Sequence, residues 1–147
     1  MDAKTLAAFF LPLLTSCSTE SGDYRCAKLI SSKKETLYVK TYNWGINGDS
    51  QLSTLADNDV PIGFEDKGKS AIVAGLEPFI YRFAQDTLTL YSRSTLPSFP
   101  LHCSSITVRY ELVDNPSYMN LHRLLRHKPY YSVPESQPGD AYYQPKL

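Results

Sequence analysis

The chain carries no excess of either charge. Fifteen lysines and arginines balance fifteen aspartates and glutamates, so it lacks the basic footprint that holds a phosphate backbone, and nucleic acid is not expected as a partner. It also lacks a membrane-spanning stretch. The apolar run Leu6 to Leu14, interrupted by Pro12, is nine residues long, whereas crossing roughly 30 Å of hydrocarbon takes about 20. Enzyme signatures are missing too: there is no Gly-x-Ser-x-Gly elbow, no phosphate-cradling glycine loop and no His-Glu-x-x-His. Of the three histidines, His122 and His127 stand five apart and so on different sides of a helix, and His102 adjoins Cys103; no metal site is expected. Asp57-Asn58-Asp59 lacks the spacing and the later glutamate of a calcium loop. These absences point to a non-catalytic protein without metal or cofactor.

What is present begins at the N-terminus. Leu6-Ala7-Ala8-Phe9-Phe10-Leu11-Pro12-Leu13-Leu14 after a start carrying Lys4 has the length of a secretory h-region. Asp2 offsets that lysine, leaving the n-region only its α-amino charge. The segment that follows, Leu14-Thr15-Ser16-Cys17, resembles the lipobox of bacterial lipoprotein precursors. The resemblance implies cleavage before Cys17, acylation of that cysteine and attachment to a lipid bilayer in the cell envelope. Ser18 after the cysteine implies the outer membrane, facing the periplasm. With Cys17 assigned to lipid, Cys26 and Cys103 remain as a pair in an oxidising compartment, and a disulfide between them is expected.

Residues 1–16 then read as the signal peptide, 17–22 as the lipidated cysteine and a small polar tether, 23–128 as one β-rich domain and 129–147 as a tail. Strands are predicted over Asp23 to Ile30 and Glu35 to Trp44. In the second, Leu37 and Val39 face one side while Tyr38, Lys40 and Tyr42 face the other. A short weak element at 51–56 lies between loops, and Ser70 to Ala74 is a brief strand. Phe79 to Ala84 and Thr87 to Tyr91, joined by Gln85-Asp86, form an antiparallel hairpin with Phe79, Tyr81 and Phe83 set against Leu88 and Leu90. After an excursion containing Pro97 and Pro100, Ile106, Val108, Tyr110 and Leu112 alternate with Thr107, Arg109 and Glu111 in a further strand. Asp114-Asn115-Pro116 then caps a helix reaching about His127, with Tyr118, Leu121, Leu124 and Leu125 as its apolar stripe.

The expected fold is mainly β: an antiparallel sandwich or small open barrel of six or seven strands with one C-terminal helix, or alternatively a two-layer α+β sheet. The expected function is a binding or assembly module at the membrane surface with an envelope protein as partner. Its candidate contacts are Tyr38, Tyr42 and Trp44 on one strand face, and Tyr130, Tyr131, Tyr142 and Tyr143 in the proline-rich tail. A second reading is an inhibitor of a secreted hydrolase. Tyr24-Arg25-Cys26 resembles the Tyr-x-Cys segment of small lipid-anchored β domains that block lysozyme, but the serine- and glycine-bearing inhibitory loop has no counterpart and no residue roles carry over. An enzyme with an unrecognised site is the third.

Overall fold

The computed structural model describes residues 22–45, 47–125 and 127–133. Among these residues eight strands and one α-helix follow one another: β1 (Asp23–Ile30), β2 (Thr36–Trp44), β3 (Ser50–Ala56), β4 (Val73–Ala74), β5 (Ile80–Ala84), β6 (Thr87–Ser92), β7 (Thr107–Leu112), α1 (Asn115–Leu124) and β8 (Tyr130–Ser132). They make two four-stranded sheets, ordered β1-β2-β3-β4 and β7-β6-β5-β8. The inner faces meet as a sandwich: Ala27, Leu29, Leu37, Val39 and Leu55 from the first pack against Phe79, Tyr81, Leu88, Leu90, Tyr131 and Val133 from the second. The period-two patterns put alternate residues of each strand into this layer, and burial of that apolar area drives the assembly.

Local chemistry sets the connections. Gln85 and Asp86 have φ of 50° and 54°, the left-handed pair of a type I′ turn that matches strand twist. They place Tyr81 opposite Leu90 and Phe83 opposite Leu88. One end of the sandwich is stitched by polar groups. The Glu35 carboxylate accepts from the backbone N–H of Ser105 at 2.6 Å and from the hydroxyls of Ser104 and Ser105. Asp86 likewise accepts from the N–H and hydroxyl of Ser32. These donors hold both carboxyls below their usual range. Asp114 caps α1, accepting from Ser117 N–H at 2.9 Å, and Tyr118, Leu121 and Leu125 seat the helix beside Ile80, Tyr91 and Tyr130, away from the main core. Leu124 remains exposed.

Three details differ from the sequence reading. The pairing of β6 with β7 is parallel rather than antiparallel, because residues 93–106 are long enough to carry the chain back to the same end before β7 starts. The element at 51–56 is not marginal: β3 lies between β2 and β4, and Gln51 to Leu55 are all buried. Its polar side chains are satisfied internally, Gln51 Nε2 donating to Ser53 Oγ at 2.7 Å and Thr54 Oγ1 to Ala71 O at 2.7 Å. Finally, the domain continues past residue 128. Tyr130–Ser132 pairs with β5, and Tyr131, Ser132 and Val133 are buried.

Candidate functional site

The outer face of the first sheet gathers the largest set of sequence-predicted contacts. The ladder sets Tyr24 opposite Tyr42, Cys26 opposite Lys40 and Lys28 opposite Tyr38, so these side chains share the face turned away from the core. Tyr42 and Trp44, two residues apart on β2, stack with ring centroids 5.8 Å apart. Gly22 lies so close to the Tyr42 ring that a Cβ there would strike it.

The row is extended by residues that strand periodicity could not find. Residues 57–72 fold back over the outer face, where a single 3₁₀ turn, Phe64–Asp66, sets the Phe64 ring edge-on to Trp44 at 5.6 Å. The Lys67 ammonium stands 5.8 Å from the centroids of both rings. At the other end of the row, Lys28 and Lys40 lie 5.7 and 5.9 Å from the Tyr38 centroid. Tyr38, Tyr42 and Trp44 are half-buried and Phe64 is exposed. The face therefore offers aromatic area flanked by the exposed ammonium groups of Lys28 and Lys67 within cation–π distance.

Lys40 anchors the arrangement. Only 2% of its surface is exposed, and its ammonium donates to Asn58 Oδ1 at 3.0 Å and to Val60 O at 2.7 Å. Burial lowers its pKa, opposed by the thiol of Cys26 and by Asp59, Asp57 and Asp66. Burial likewise pushes the Tyr24 phenol up, with the adjacent Cys26 adding to the effect. A cleft of about 250 Å³ beside Lys40 is lined by Thr54, Asp57, Val60, Ile62, Asp66 and Pro100 among others. At its rim His102 Nδ1 is 2.7 Å from Asp57 Oδ2, which also accepts the His102 backbone N–H at 3.2 Å. These bonds hold the Asp57 carboxyl below its usual range. Asp57 and Asn58, which the sequence left as a bare loop, thus tie the 57–60 segment to His102 and to Lys40.

The other sequence-predicted residues are dispersed. Tyr130 sits on the second sheet, its ring 6.3 Å from that of Tyr91 and 5.7 Å from the Arg82 guanidinium. Tyr131 faces the core, stacked on Tyr81 at 5.4 Å, and offers no binding surface. Cys17, Tyr142 and Tyr143 lie outside the described residues. The expected Cys26–Cys103 bridge is not formed; both are free thiols. Cys103 Sγ lies 3.8 Å from Thr36 O. Thr36 is opposite Ile30, four residues along β1 from Cys26, or about 13 Å at strand rise. A disulfide needs Cα atoms within about 7 Å, so the ladder keeps the two thiols apart.

The face offers rings for stacking and exposed ammonium groups for charge pairing. Compared with known proteins, the chain matches no family model, no curated protein and no solved structure.

Proposed function

We propose that this chain is a non-catalytic binding module of the bacterial envelope, tethered to the membrane through an acylated Cys17. Its recognition surface is the outer face of the first sheet. The observation that carries the reading is the Tyr42, Trp44 and Phe64 ring cluster with Lys67 beside it, on the same sheet face as Tyr38 flanked by Lys28 and Lys40. Aromatic residues anchor protein interfaces because they add large area while losing few rotamers. The exposed ammonium groups of Lys28 and Lys67 favour a partner that presents carboxylates at its rim. The fitting partner is an envelope protein with an acidic, apolar-centred patch.

A pull-down from envelope extract tests this with the wild-type chain and a Tyr42→Ala/Trp44→Ala double variant whose circular dichroism is unchanged. The wild type should retain an envelope protein and the variant should lose it. Equal capture by both removes this face from the binding reaction, and capture of one secreted hydrolase replaces the assembly reading with the inhibitor. Mass spectrometry of the mature N-terminus tests the tether: a diacylglyceryl-type mass on Cys17 supports it, and an unmodified thiol there rejects it.

A further inference from the structure

We propose that β7 pairs edge to edge with β7 of a second copy of this chain, in an antiparallel register centred on Tyr110. Among the described residues, β7 has a neighbour on one side only. Thr107 N–H donates to Asp86 O and Val113 N–H to Ser92 O, both at 2.9 Å. In a parallel ladder the N–H and C=O of one residue point the same way. The odd-numbered residues 107–113 therefore turn to β6, while Val108, Tyr110 and Leu112 direct their backbone groups to the open edge. The side chains there are unusually apolar for an edge. Leu112 is 68% exposed and Tyr110 47%, beside a groove of about 310 Å³ that Leu96 and Pro97 help to line.

Charge selects the occupant and the register. Arg109 and Glu111 stand on the opposite, outer face of β7, both exposed, and among the described residues neither side chain makes a hydrogen bond or an ion pair. Charges on an open edge ordinarily block strand pairing; here one of each sign, two residues apart on one face, blocks the neighbouring registers and favours one. Centring on Arg109 would set it against its own copy, and centring on Glu111 would oppose two carboxylates. Centring on Tyr110 puts Arg109 opposite the second copy's Glu111, and Glu111 opposite its Arg109. Those two pairs are non-hydrogen-bonded positions, where side chains come closest. In the same register Tyr110 meets Tyr110, and Val108 meets Leu112 on either side, so all three outward residues of each strand enter hydrogen-bonded pairs. The exposed rings and leucines are covered in the same step.

Sedimentation equilibrium of the full chain in detergent, as wild type, Arg109→Glu, Glu111→Arg and the double swap, is the test. The wild type should dimerise. Each single reversal sets two like-charged pairs across the edge and should raise the dimer dissociation constant about tenfold or more; the double swap should restore it. A wild type that stays monomeric at about 1 mM overturns the proposal. A dimer unaffected by the single reversals, or one the double swap fails to rescue, overturns it as well. Unchanged circular dichroism separates a lost interface from a lost fold.

Discussion

Replacing Tyr131 with alanine should remove a large part of the stability of this domain, although the residue lies in sequence that reads as an unstructured tail. The ring is 7% exposed and stacks on Tyr81, its opposite number in the β5–β8 ladder and itself fully buried. Truncating a buried aromatic costs about 3–5 kcal/mol, of which ring pairing beyond simple burial supplies about 0.5–1.5 kcal/mol. Set against a total of about 5–15 kcal/mol for an ordinary domain, the loss is large. With a urea slope near 2 kcal/mol/M, the midpoint should fall by about 2 M. Tyr130→Ala is the control: it contacts Tyr91 and Arg82 on the second sheet and is half-buried, so its cost should be near 1 kcal/mol. Equilibrium unfolding followed by circular dichroism and by the fluorescence of Trp44, the sole tryptophan, reads both. A Tyr131→Ala midpoint within 0.5 M of wild type at unchanged slope would show that β8 is not part of the core.

Acid should loosen the sandwich at its stitched end. The carboxyls of Glu35 and Asp86 are held below their ordinary values by serine donors, so their contribution is fully present above about pH 5 and disappears as pH falls through the lower folded-state values. Thermal melts from pH 7 to pH 2 should show this loss, and Glu35→Gln should flatten it. Gln85→Asn should stabilise the hairpin by up to about 1 kcal/mol, since asparagine accepts the left-handed conformation at φ 50° more readily; a lower urea midpoint would contradict the turn assignment. Lys40→Met removes the ammonium that Asn58 and Val60 share. It should cost about 1.5–3 kcal/mol and speed amide exchange at Val60, whereas unchanged exchange would mean that the lysine does not hold the loop.

The architecture was legible wherever one face of a strand is apolar and the other is not. β2 and the β5–β6 hairpin announce themselves through Leu37 and Val39, and through Tyr81 and Phe83 against Leu88 and Leu90; α1 does so through Asp114 and Pro116. β3 was obscured because both of its faces are covered and its interior residues include Gln51, Ser53 and Thr54, polar side chains satisfied by one another and by the carbonyls of Ala71 and Val133. β8 was obscured by three residues of strand embedded among prolines, where composition outweighs a pattern too short to register. In the candidate site, Tyr38, Tyr42 and Trp44 came from simple alternation. Phe64 and Lys67 could not, since no periodicity extends across the loop that folds them onto Trp44. The Asp57–His102 pair spans 45 residues, and the cysteine pairing failed because counting thiols carries no information about position along a ladder.

Trp44 itself provides the most direct measurement of the central claim, that the outer face of the first sheet is the recognition surface. It lies between Tyr42 and Phe64 and near Lys67, and no second tryptophan contributes to the signal. Titration of the wild-type chain with the captured envelope protein, with emission followed in a tryptophan-free variant of that partner, should shift Trp44 emission to the blue as water leaves the ring. Trp44→Ala should weaken binding by about 2 kcal/mol or more, roughly thirtyfold. Tight binding with unchanged Trp44 emission and undiminished affinity of Trp44→Ala would contradict the account.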